Sequence, residues 1–349
     1  MPDTLTKFAY QTFQQGKQVF GYTHKTLLNR LREVISPIDP DRSSDISAPI
    51  LTLLKQRLDE LTEIDWQDAE NGVYPKSLLF DNPWDDFFKY YPRVVLDTPS
   101  VWERSKNKQY QKFDSDINTE GYPKYYVQNF HHQTDGYLSD MSANLYDLQV
   151  EILFNGSADP MRRRILAPLK RHIDGLSNVS TSKILDVACG TGRTLKMIRD
   201  TLPQASTYGV DLSTTYLRKA NELLSKETGA LPQLIQANAE TLPYLDNYFE
   251  ATVSVFLFHE LPPKVRQTVI SECYRVTQPG GIFIICDSIQ KLDTPEFTPM
   301  MENFSAVFHE PYYRHYSTDN MTARLESVGF HSIKVSNHFM SKYWIAKKD

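Results

Sequence analysis

Ten consecutive residues constrain the fold of this chain more than any others: Lys183-Ile184-Leu185-Asp186-Val187-Ala188-Cys189-Gly190-Thr191-Gly192. An apolar run of strand length carries one acid and stops at glycines. Behind them Thr194, Leu195 and Ile198 keep helical spacing. Glycines in such a turn let a ligand approach the backbone closely. A strand that enters a helix in this way needs neighbours on both sides. Short apolar runs at 183–188, 206–211, 233–237, 251–258 and 281–286 supply them, each separated from the next by an amphipathic segment. That alternation predicts an α/β fold with a doubly wound, mostly parallel sheet. Two last runs, 331–338 and 342–346, lie only a few residues apart and predict an antiparallel hairpin.

The ten-residue segment resembles motif I of the class I, Rossmann-like methyltransferases, whose sheet has seven strands and closes with such a hairpin. The resemblance covers about residues 135–349 and implies S-adenosylmethionine as cofactor. It places Asp186 near the methionine ammonium group, with Ala188, Gly190 and Gly192 in the turn around it. Asp211, nineteen residues after Gly192, ends the next strand where an acid accepts ribose hydroxyls, with Leu212 beside it. Asn238 and Ala239 match the adenine position, although most members carry Asp where this chain has Asn238. Phe256 closes the cofactor set, and Pro279-Gly280-Gly281 completes the resemblance.

A dinucleotide-binding enzyme is the rival reading, and the residues disfavour it. Leu195 stands where the third glycine of G-x-G-x-x-G belongs. Asp186, four residues before Gly190, would repel a pyrophosphate but suits a cationic ligand. A P-loop is excluded because no Gly-Lys-Ser/Thr follows.

Ligands of open α/β sheets sit beyond the carboxyl ends of the strands. There the fourth run continues into Phe256-Leu257-Phe258-His259-Glu260-Leu261-Pro262, which offers His259 as a base and Glu260 to orient it. After the fifth run come His309, Glu310, Tyr312 and Tyr313, a second candidate group expected to converge with the first on a pocket facing the methyl group. Tyr126, His131, His132 and Tyr137 lie before the core and are expected to act as a lid. His309, Glu310 and His315 lack a supporting ligand motif, so no metal is expected.

The 349 residues divide by texture. Residues 1–120 read as a helical N-terminal region, which either covers the acceptor site or docks a partner. Residues 121–349 read as the methyltransferase domain, with lid helices over 121–175 and the sheet core over 181–349. Pro37 and Pro40 should break the first helical stripe, and the aromatic stretch 65–91 should be a packed surface. Arg162-Arg163-Arg164, with Lys170 and Arg171, reads as a solvated helix face.

A net charge of -5 gives no global attraction to nucleic acid, and none is expected as partner. Cys189, Cys273 and Cys286 are too scattered for disulfides or zinc and should be buried thiols. No run reaches the roughly 20 apolar residues of a transmembrane helix, so a cytoplasmic protein is expected. Between Thr4 and Arg32 there are five basic and no acidic side chains, with Leu5, Phe8, Ala9, Phe13, Val19 and Phe20 at helical spacing. Packing on the chain's own domain is the leading expectation for this helix, and peripheral contact with an anionic membrane is the alternative.

The expected activity is methyl transfer to a small, partly apolar acceptor, with S-adenosylhomocysteine as product. Two alternatives stand beside it. A protein methyltransferase would dock its partner on residues 1–120, and the missing Asn-Pro-Pro-Tyr-type motif after the fourth run counts against it. A non-catalytic cofactor-binding module would show a damaged site, whereas Asp186, Gly190, Gly192 and Asp211 are intact.

Overall fold

The computed structural model describes residues 3–35, 47–82 and 84–349, so the expected break at Pro37 and Pro40 lies outside the described residues. Seven strands form one sheet: β1 (Lys183–Val187), β2 (Ser206–Asp211), β3 (Gln233–Gln236), β4 (Phe249–Val255), β5 (Thr277–Ser288), β6 (His331–His338) and β7 (Ser341–Lys347). Their order is β3-β2-β1-β4-β5-β7-β6. The first five pair in parallel, while β7 runs antiparallel to both β5 and β6. The order reverses between β1 and β4, so the turns after these strands spread apart and leave a crevice.

Alternation along the strands divides the core into two layers. Phe283 and Ile285 of β5 face α9 (Pro263–Val276) and α12 (Met321–Ser327). Ile282, Ile284 and Cys286 face the opposite way, against α6 (Leu166–Asp174) and α7 (Arg193–Thr201). The same second layer takes in Tyr10 of α1 (Thr4–Ile35) and Trp66 and Ala69 of α2 (Ala48–Glu70), with Tyr74, Leu78 and Leu79 after it. The N-terminal helices therefore share apolar core with the sheet. All three cysteines are buried free thiols.

The arginine run corrects its sequence reading. Arg162 and Arg163, on α5 (Ala158–Arg163), are buried, and Arg164 is nearly so. Arg163 grips Asp65 of α2 in a forked ion pair, Nε to Oδ1 at 2.9 Å and Nη2 to Oδ2 at 2.7 Å. Tyr10 and Tyr74 donate their hydroxyls to the same carboxylate, and Arg163 Nη1 donates to Leu78 O at 2.9 Å. Arg162 bonds Asp159. Burial of these charges is sustained because each has a partner.

Helix α1 also departs from expectation. Phe13 and Phe20 turn inward, while Leu5, Phe8 and Val19 are exposed together with Tyr22 and Leu27. The buried face is instead Tyr10, Gln14, Gly21 and His24. At Gly21 a Cβ would lie 3.1 Å from the Asn155 backbone, so only glycine permits this approach. Lys7 pairs with Glu63, Lys17 with Glu151, and Lys25 donates to Leu153 O. Three of the five cations on this helix thus have partners within the chain. Among the described residues no helix is long and apolar enough to cross a membrane.

Two element boundaries shift for backbone reasons. The fourth run ends as a strand at Val255, because Phe256 takes a left-handed φ of 59° and turns the chain into a short 3-10 turn, Phe258–Glu260. Helices do not begin at 121: the segment 121–139 is a run of turns, and α4 (Asp140–Leu153) is the first regular helix after it. His131, His132, Asp135 and Gly136 all have φ between 52° and 59°, which no right-handed helix tolerates. Ser139 then caps α4 by accepting from Ser142 N at 3.1 Å.

Candidate functional site

One cavity lies over the carboxyl ends of β1, β2, β3 and β4. Ala188 and Gly190 form its floor, with φ of 62° and 55°. Only Tyr216 lies within reach of a Cβ built on Gly190, at 4.0 Å, so the floor is open to a ligand. Gly192 serves packing instead: a Cβ there would press on Ala220 of α8 (Thr214–Leu224) at 3.0 Å. Asp147 of α4 clamps the turn by accepting from Thr191 Oγ1 at 2.9 Å. Immediately beyond it, Arg193 pairs with Asp159 and Asp81, and Lys196 with Asp81.

Asp186 is buried, and neither carboxylate oxygen has a hydrogen-bond partner among the described residues. Burial, with the nearby Asp211 charge, pushes its pKa well above the usual carboxylate range. An orphaned buried acid at a glycine turn suits a cationic ligand group, and the ammonium of S-adenosylmethionine fits it. Asp211 accepts from Gly190 N and Ser213 N, both at 2.8 Å. Burial raises its pKa to about 6, against those two N–H bonds, which lower it. Its oxygens keep lone pairs for two hydroxyls. Leu212, Ala239 and Phe256 line the same cavity. Asn238 lines it too, but its amide is turned onto Glu240, with Oδ1 accepting from Glu240 N at 2.9 Å.

The segment 121–139 closes the cavity by bonds to the turns after β2, β3 and β4 and to the segment beyond β5. Ser213 Oγ, after β2, donates to Tyr137 O at 2.6 Å. Tyr125 donates to Glu240 Oε1, after β3, at 2.7 Å. Tyr137 donates to Glu260 Oε1, after β4. Beyond β5, Gln128 Oε1 meets His309 Nε2 at 2.8 Å, and Gln128 Nε2 donates to Tyr312 Oη at 3.2 Å. Tyr126 and Tyr137 line the cavity with Tyr125, Tyr146 and Tyr216, so its roof is aromatic.

Of the expected chemical groups, Glu260 lines the cavity, and Glu310 stands behind it, joined through His131. Burial lowers the His131 pKa, but the Glu310 and Glu260 charges overcome it and lift it to about 10. His259 is buried, with Nδ1 at 2.6 Å from Asp287 Oδ1. Burial lowers its pKa and Asp287 raises it, to about 9 overall.

His309 is a correction: it stacks on Tyr110, centroids 4.0 Å apart, and its Nε2 bonds Gln128, so it holds the roof. Tyr313 pairs with Ser288 Oγ at 3.0 Å rather than facing the cavity. His132 is buried under the roof, its pKa lowered to about 4 by burial and the neighbouring His309. His315 lies apart, beside Arg266 and Asp319.

Sequence reasoning missed Asp287, Tyr146 and Tyr216. Asp287 has a recognisable signal, an acid ending an apolar run as Asp186 and Asp211 nearly do. It accepts from Phe258 N and Ser288 N as well as facing His259, which fixes the turn after β4.

A family model described as a methyltransferase domain matches residues 184–281. The ubiquinone/menaquinone biosynthesis C-methyltransferase of Desulfotalea psychrophila is 28% identical over 176 residues, which is 50% of this chain and 63% of that protein. The chain thus spans less than two thirds of that relative's length. The demethylmenaquinone methyltransferase of Anoxybacillus flavithermus is 28% identical over 43% of this chain and 69% of its own. Among solved structures, the phosphoethanolamine N-methyltransferase 2 of Haemonchus contortus with S-adenosyl-L-methionine is 18% identical, with a TM-score of 0.46, over 66% of this chain and 61% of that one.

Proposed function

We propose, for a chain that belongs to the class I S-adenosylmethionine-dependent methyltransferases, that the acceptor is a small aromatic quinol methylated on a ring carbon. The observation that carries this reading is one carboxylate, Glu260, left over for an acceptor once Asp211 is given to the ribose, in a cavity walled by Tyr125, Tyr126, Tyr137 and Tyr146 with Leu257 and Leu261. Flat aromatic walls suit a flat apolar ring, and one acid suits one ring hydroxyl. Two relatives named for quinone-pathway methylation agree with it.

The cofactor supplies a methyl group already activated on sulfonium. The acceptor hydroxyl would pass its proton to Glu260, the ring carbon would take the methyl as the carbon–sulfur bond breaks, and the proton on that carbon would return to the ring oxygen, leaving S-adenosylhomocysteine and one net proton on Glu260. The residues of the chain have three tasks. Asp186 and Asp211 hold the two polar ends of the cofactor. A hydroxyl of the acceptor donates to Glu260, which draws negative charge onto the ring and strengthens its carbon nucleophile. The tyrosine roof excludes water and fixes orientation, a contribution of up to about 7–11 kcal/mol where alignment is good.

The test is direct. The full chain is incubated with S-adenosylmethionine and a short-chain 2-prenyl-1,4-naphthoquinol, and S-adenosylhomocysteine is followed by mass spectrometry. Turnover with the quinol, and a methylated ring in the product, is the expected result. Turnover only with a protein or an amine, or none with any acceptor, overturns the reading.

The cofactor half carries its own pH prediction. Asp211 accepts both ribose hydroxyls as a carboxylate, and its pKa is raised to about 6. Protons therefore compete with the cofactor below that value, and affinity should fall up to about tenfold per pH unit as pH drops from 6 to 5. Calorimetry at pH 7.5 and 5 checks this. In Asp211→Asn the decline should disappear, and an equal decline in both proteins would place the titrating group elsewhere.

A further inference from the structure

Behind the acceptor wall, three side chains from distant parts of the chain bring one ligand atom each to a common point. They are His131 of the roof, Glu260 after β4 and Glu310 after β5, and their ligand atoms lie within 4.8 Å of one another. His131 Nε2 is 2.9 Å from Glu310 Oε1 and 3.5 Å from Glu260 Oε1. Ligands around a cation at bonds of about 2.1 Å stand about 3.0–3.4 Å apart, close to these spacings.

The second observation is Glu310 itself. Its side chain is wholly buried, yet neither oxygen has a hydrogen-bond partner among the described residues. The 2.9 Å contact to His131 lacks hydrogen-bond geometry, so the imidazole nitrogen is not aimed squarely at the carboxylate. Buried carboxylates ordinarily have their lone pairs occupied. A pair of acids and an imidazole that converge with no hydrogen bond among themselves leaves a place for something held by all three.

We propose that His131, Glu260 and Glu310 form a binding site for a divalent first-row cation next to the acceptor. Once the cation displaces the His131 proton, two carboxylates and a neutral imidazole balance a charge of two, and this mixed nitrogen and oxygen set suits zinc or manganese. Tyr137, donating to Glu260, is the outer partner that orients one ligand. His131 is fixed by its left-handed backbone and by its N–H bond to His309 O at 3.3 Å. Three protein ligands leave coordination positions open, and Glu260 faces the cavity, so an oxygen of the acceptor takes one of them. This role rests on the quinol reading above; the cation site itself does not. The expectation of no metal considered Glu310 with His309 and His315, and only Glu310 of those belongs to the cluster.

The experiment uses the full chain without acceptor. Zn2+ alone is titrated by calorimetry into wild type, His131→Ala, Glu310→Gln and His315→Ala. Wild type and His315→Ala are expected to bind one ion per chain, with His131→Ala and Glu310→Gln weaker by about 100-fold or more. Unchanged cofactor affinity in the variants shows that they are folded. No stoichiometric ion in wild type, or equal affinity in wild type and Glu310→Gln, overturns the proposal and leaves an internal ion pair. A bound ion together with no quinol turnover would sink the acceptor reading alone.

Discussion

Asp65→Ala should lower the unfolding free energy by about 3–5 kcal/mol, the cost of leaving one charge of a buried ion pair without its partner. Arg163 would then be buried with only Leu78 O as acceptor, the Tyr10 hydroxyl would lose its acceptor, and Tyr74 would keep only the backbone oxygen of residue 65. A guanidinium is basic enough that Arg163 does not shed its charge to escape that cost. The double variant Asp65→Leu/Arg163→Met should cost less than either single change, because it removes both charges together. Urea denaturation followed by circular dichroism measures wild type, Asp65→Ala, Asp65→Leu, Arg163→Met and the double variant. Single variants within about 1 kcal/mol of wild type would mean that water reaches the site.

Asp186→Asn should act in opposite directions on binding and on stability. The amide keeps the shape but cannot offer a charge to the cofactor ammonium. Losing a charge-assisted hydrogen bond costs about 1.5–3 kcal/mol, so the dissociation constant should rise about 10- to 150-fold. Without cofactor the variant should be the more stable protein at alkaline pH. Burial raises the Asp186 pKa well above its unfolded value, so the folded chain holds a proton that the unfolded chain has lost. Stability of the wild type therefore falls as pH rises above the unfolded carboxylate range, and continues to fall up to the raised value. The variant lacks that slope. Thermal melts at pH 5 and pH 8, with and without S-adenosylmethionine, separate the two effects. A variant that binds normally would remove Asp186 from the cofactor site.

The sheet was legible because its central strands are buried on both faces and read as unbroken apolar runs. Acids at strand ends then stood out, and Asp186 and Asp211 were found this way. Asp287 stands out less because the apolar run stops at Cys286, one residue before it. The roof was not legible for a different reason. Its left-handed positions are His131, His132 and Asp135 as well as Gly136, so few of the glycine or proline signals that announce a turn were present. The arginine run misled because three adjacent cations look solvated until Asp65 and Asp159 are brought to them. Those partners come from a distant helix and from the same turn, and only the fold shows that both are buried. His309 carried a catalytic residue type without a catalytic position; Tyr110, nearly two hundred residues away, decides its role.

The ion pairs just beyond the glycine turn tie Arg193 and Lys196 to Asp81, in the N-terminal half of the chain. Work done on one end of such a strut is felt at the other, and equilibrium linkage makes the exchange reciprocal. Whatever the cofactor contributes to the rigidity of the turn must also steady the segment that carries Asp81. A substitution at Asp81, remote from every atom of the ligand, should in turn reset how tightly that ligand is held. The segment that carries Asp81 is in this sense a tuning peg for the cofactor pocket: it never meets the string's vibrating length, but it sets the tension.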